Sequence, residues 1–118
     1  MYQIKEKILR NGDHERKILT IQFDQPEMAI VGEFLMTDAS LLNYQVLDKL
    51  EHVLSGKKPI DYFTGNRCYL TIKHERTTIE DLYEGMDEIN TLPSYSVATE
   101  KLISLVKMWR TEKDRLSR

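Results

Sequence analysis

Three histidines, His14, His52 and His74, are the side chains best suited to hold a metal or move a proton near neutral pH. No two of them fall at i, i+2 or i, i+4 spacing, and none pairs with a cysteine at ligand distance. A structural metal site draws on several such ligands, so none is expected. The single cysteine, Cys68, alternates in register with Leu70 and Ile72. A nucleophilic thiol needs partial exposure and nearby positive charge, and a mid-strand place on an apolar face predicts a core residue instead. No G-x-S-x-G elbow or S-x-x-K pair occurs, and Gly12, Gly32, Gly56, Gly65 and Gly85 are too widely spaced to cradle a phosphate. Asp13, Glu15 and Lys17 imitate the carboxylate–lysine set of some nucleases, but they crowd into one hairpin turn. Asp81, Glu84, Gly85, Asp87 and Glu88 do not follow the alternating oxygen ligands of a calcium loop. The residues thus predict no enzyme activity, no metal and no cofactor.

What remains is charge. The chain carries 17 Lys+Arg against 19 Asp+Glu, a formal net charge of −2, which excludes binding driven by global positive charge. The total hides segregation. Residues 80–88 hold five acids (Glu80, Asp81, Glu84, Asp87, Glu88) and no base, while residues 107–118 hold five bases (Lys107, Arg110, Lys113, Arg115, Arg118) and two acids. Residues 1–106 alone carry net −5. A basic helix end complements the helix dipole, and an acidic run can be a solvated loop. The sharper reading of the run is a docking face for a basic protein, since complementary charge speeds encounter and suppresses wrong partners. Tyr83 and Tyr95 lie in or beside it, and tyrosine is enriched at interface hot spots. The expected protein-binding residues are therefore Glu80, Asp81, Tyr83, Glu84, Asp87, Glu88 and Tyr95. The alternative is a nucleic-acid accessory factor using the basic C-terminal helix, with salt-sensitive affinity. It is the weaker of the two, because Tyr69 is the one aromatic clearly on a polar strand face and one ring is a thin stacking platform.

At 118 residues and 13.9 kDa the chain is expected to form one domain spanning 1–118. Such a chain buries about two-thirds of its surface, enough for a core without staples. No apolar signal segment opens the chain, no stretch approaches a membrane span, and a lone cysteine cannot form an internal disulfide. A reducing cytoplasmic setting is the expectation. Residues 2–10 alternate as a half-exposed strand, Asn11-Gly12 signals a turn, and Lys17 to Phe23 alternates again. Met28 to Met36, nearly all apolar, reads as the buried third strand of a meander. Asp38 or Ser40 reads as the N-cap of a helix over Leu41–Leu54, with Leu42, Val46, Leu50, Val53 and Leu54 as its apolar stripe. Lys57-Lys58-Pro59 reads as loop, Arg67 to His74 as a fourth strand and Thr78 to Tyr83 as a fifth. Pro93-Ser94-Tyr95-Ser96 reads as the start of a final helix striped by Ala98, Leu102, Leu105, Val106 and Trp109. The predicted class is α+β: an antiparallel sheet of about five strands, order βββ-α-ββ-α, with both helices on one face.

The general format is similar to small single-domain immunity proteins that neutralise bacterial toxins: acidic, cytosolic, α+β, about this size, with no active site. The likeness is one of size, charge and class rather than of motif. It implies another protein, such as a basic toxin domain, as the partner, and leaves the oligomeric state open.

Overall fold

A computed structural model describes residues 1–83 and 91–117. The class is α+β, as the sequence predicts, but the strands divide into two antiparallel sheets. β1 (Tyr2–Asn11) and β2 (His14–Phe23) form a long hairpin. Asn11 is the last paired residue of β1 opposite His14, so Gly12 and Asp13 are the central turn residues. Gly12 has φ +64°, and glycine at the first central position is what a II′ turn requires.

The run from Met28 to Met36 is not a strand. After a short 3₁₀ turn at Pro26–Met28 it forms α1 (Ala29–Thr37). An apolar run has no period by which strand and buried helix can be told apart, and Pro26 pre-sets φ for a helical first turn. Ile30, Val31, Gly32, Phe34 and Leu35 are all buried, so α1 is enclosed on most sides. β2 and β5 pack against it.

α2 (Leu41–Leu54) buries Val46, Leu47, Leu50 and Val53. Leu42 leaves the expected stripe: it is 77% exposed, because Leu42, Asn43 and Tyr44 are left-handed, with φ of 51°, 56° and 61°. Ser40 stands at the cap position without a side-chain cap bond, and Asp38 is engaged elsewhere.

The second sheet is a meander in chain order, β3 (Ile60–Thr64), β4 (Cys68–Lys73), β5 (Arg76–Asp81) and β6 (Tyr95–Ala98). β3 follows the loop expected at Lys57-Lys58-Pro59, in a stretch to which the sequence reading assigns no element. β6 occupies the expected helix start, so the last helix, α3, spans Thr99–Leu116. One sheet face carries Phe63, Cys68, Leu70, Ile72, Ile79 and Val97, all buried beneath the helices. α3 adds Leu102, Leu105, Val106 and Trp109 to the same core. No helix among the described residues is long and apolar enough to cross a membrane.

Candidate functional site

The acidic segment begins where β5 ends, and its residues do not share one environment. Asp81 is not a surface residue. It falls in register with Thr77 and Ile79, which point into the core, and its side chain has no exposed area. Arg67 grips it with both arms, Nε at 3.1 Å from Oδ1 and a terminal nitrogen at 2.9 Å from Oδ2. The backbone N–H groups of Tyr83 and Leu92 donate to the same carboxylate at 3.0 and 2.9 Å. Burial pushes the Asp81 carboxyl up, but the guanidinium and the two N–H donors outweigh it and hold the pKa at about 2. Asp81 therefore ties the backbone at Tyr83 to that at Leu92 from inside, and its carboxylate is engaged in these bonds. Tyr83 is half-buried with its ring 5.2 Å from the Arg67 guanidinium carbon. Glu33 approaches Arg67 from α1 at 3.6 Å. Glu84, Asp87 and Glu88 lie outside the described residues.

Beside this pair sits a second buried carboxylate. Asp38, 0% exposed, accepts N–H bonds from Asn66 (2.8 Å), Arg67 (3.1 Å) and Cys68 (2.7 Å). Gly65 makes room for it: a β-carbon there would overlap the Asp38 carboxyl. The sequence reading offered Asp38 as a helix cap because aspartate prefers that position. It caps a strand start from 28 residues away instead. Burial, with the Asp38 carboxylate next to it, pushes the Cys68 thiol far up, and the sulfur is 0% exposed. Both carboxylates are saturated with donors and the thiol stays protonated, so the cluster organises the fold. Among the described residues no group of three or more His, Cys, Asp or Glu is placed to hold a metal.

The surface lies on the other side of the sheet. Tyr62 and Thr64 of β3 are exposed, and Tyr69, Thr71, Thr78, Glu80 and Ser96 on β4, β5 and β6 are half-exposed. The register puts Tyr62 opposite Thr71, Thr64 opposite Tyr69, Tyr69 opposite Glu80 and Thr78 opposite Ser96. The rings of Tyr62 and Tyr69 stack at 6.1 Å and 22°. Glu80 thus belongs to this open face. Tyr95 does not: it lies opposite Ile79 and packs against the core. Of the sequence-predicted residues, the structure joins buried Asp81 and half-buried Tyr83 at Arg67 and puts Glu80 on the open face. Tyr62 was missed with its strand, although Ile60 to Thr64 already shows one apolar residue, Phe63, facing in.

The basic helix end is dispersed. Arg110 stacks over the Tyr44 ring at 5.0 Å, Arg115 pairs with Glu112 at 3.2 Å, and Arg118 lies outside the described residues.

Neither a protein-family model nor a solved structure matches the chain. A protein of Bacillus cereus bearing the name "Immunity protein" is 26% identical over 109 residues, covering 92% of this chain and 86% of that one. The chain is similar to an immunity-type protein. The similarity runs through both sheets and all three helices, so it is not the property of one segment.

Proposed function

We propose that this chain is an immunity-type protein that acts without turning over a substrate, binding a partner toxin in the cytoplasm and covering it. The observation that carries the reading is the near full-length similarity to a protein named for immunity. The site chemistry supports it: the inner carboxylates and the thiol are committed to the fold, and the open sheet face is a surface with recognition chemistry. Its residues suit that role. Tyrosine gives large, rigid contact area with few rotors, threonine and serine give adaptable hydrogen bonds, and Glu80 leads into the acidic run. Tyr62, Tyr69 and Glu80 carry the contact, with Glu84, Asp87 and Glu88 setting encounter rate and salt dependence.

The test is co-expression with the product of the adjacent gene in cells, followed by co-purification. The wild-type chain relieves growth arrest and co-purifies. Tyr69→Ala with Glu80→Lys abolishes both while leaving the circular dichroism unchanged. The triple change of Glu84, Asp87 and Glu88 to Lys slows association and removes its salt dependence. A folded Tyr69→Ala/Glu80→Lys variant that protects and co-purifies as well as wild type overturns the assignment to this face.

A further inference from the structure

We propose that the cleft between the free edge of β2 and the last turns of α3 takes an extended acidic segment of a partner polypeptide, added as a strand to β2. Among the described residues β2 pairs only with β1, so every second N–H and C=O along its other edge points away from the ladder. Arg16, Lys17, Ile18 and Leu19 all line a cavity of about 310 Å³ there. Successive strand residues face opposite ways, and a cavity that meets four in a row runs along the edge, not over a face. The far wall is Trp109, Lys113 and Leu116 of α3.

Charge names the occupant's chemistry. The cavity's charged walls are Arg16, Lys17 and Lys113, with no acid among them. None of the three is in an ion pair among the described residues, so an acidic segment would supply the missing counter-charge. Trp109 closes the inner wall at 1% exposure. Ile18, Leu19, Met36 and Leu116, with Trp109, supply the apolar part of the lining, which suits a strand that alternates acidic and apolar residues. The space equals that of about ten waters in the liquid, room for about two residues of a strand whose ends run on over the surface. This surface is separate from the open sheet face, so either reading can fail alone.

The assay uses the full chain and its single tryptophan, Trp109, as the reporter. The probes are the capped peptide Val-Glu-Val-Glu-Val, its lysine twin Val-Lys-Val-Lys-Val, and an N-methylated glutamate peptide that keeps the charge and lacks N–H donors. The glutamate peptide is expected to change the fluorescence of Trp109 saturably, with affinity falling as salt shortens the Debye length from about 20 Å to about 4 Å. Arg16→Glu with Lys113→Glu is expected to weaken it about tenfold, and with Arg16 exposed and Lys113 half-exposed the fold is expected to stay intact by circular dichroism. Equal binding of the lysine twin overturns the charge argument. Equal binding of the N-methylated peptide overturns strand addition. No saturable response to the glutamate peptide overturns the proposal as a whole.

Discussion

Replacing Asp38 removes an acceptor, not a charge pair, and the structure sets the size of the effect. Its carboxylate receives the N–H groups of Asn66, Arg67 and Cys68. A buried donor left unpaired costs about 1–3 kcal/mol. The Cys68 N–H is fully enclosed and bears the upper part of that range, while the other two are partly buried and regain some water. Asp38→Ala is therefore expected to destabilise by about 3–5 kcal/mol, out of the roughly 6–18 kcal/mol usual for a chain of this length. At about 4 kcal/mol the melting temperature falls by about 15 °C. Asp38→Asn keeps one acceptor oxygen but turns an NH₂ toward a donor, and loses about 2–4 kcal/mol. Gly65 makes the reasoning sharper. Gly65→Ala is strongly destabilising alone, since its new methyl overlaps the Asp38 carboxyl. In the Asp38→Ala background the carboxyl atoms it overlaps are gone, while the β-carbon of residue 38 stays close, at 2.8 Å. The double variant is thus expected to be more stable than the sum of the singles predicts by about 1–2 kcal/mol. Urea unfolding followed by Trp109 fluorescence measures all four corners. A loss below about 1 kcal/mol for Asp38→Ala, or additivity within about 0.5 kcal/mol, would refute the account of this corner.

Asp81 predicts acid sensitivity. Its carboxyl titrates at about 2 in the fold against 3.8 ordinarily, so its contribution of about 2 kcal/mol is present above about pH 4 and is lost as pH falls through about 2. Asp81→Asn should lower the urea midpoint at neutral pH and flatten its fall between those values, and an unaltered acid limb would contradict this. Cys68, enclosed and with its thiol pushed up by burial, should react with a disulfide reagent only at the rate of global unfolding. Faster labelling of the native chain would show an opening the packing does not suggest. Leu42 is left-handed and exposed, a conformation that costs about 1–2 kcal/mol for side-chain-bearing residues. Leu42→Gly should therefore leave stability unchanged or raise it by about 0.5–1 kcal/mol, where the same change in a regular helix lowers it by about 1 kcal/mol. Thermal unfolding decides the sign.

Local pattern carried much of the fold. Ile4, Ile21 and Phe23 share one face of the hairpin, Cys68, Leu70 and Ile72 point inward, and Val46, Leu50 and Val53 form a buried helical stripe, as their spacing implies. Where the pattern was silent the reading failed. Ala29 to Met36 offered no period to distinguish helix from strand. β3 and β6 have five and four residues, too few for alternation to stand out beside Pro59 and Pro93. The candidate site shows a different limit. A count of acids groups Asp81 with Glu80, but counting ignores alternation: Thr77, Ile79 and Asp81 are one face and Glu80 the other. Alternation could have flagged Asp81 as buried and in need of a cation. It could not have named Arg67, 14 positions away, nor joined Asp38 to residues 66–68, because those contacts are made by the fold as a whole.

The β1–β2 hairpin is anchored at one end. Ile21 and Phe23 anchor its base in the core, whereas residues 5–17 are exposed on both faces. A two-stranded ribbon without a packed face is marginally stable in water. Its outer pairs, from Asn11–His14 inward, are free to open and reclose without disturbing the helices. Amide exchange should accordingly run as a gradient, fastest at the turn and slowing toward Ile4 and Ile21. The protein is then a rigid body bearing a short zipper, with a local opening free energy that rises continuously along one strand pair.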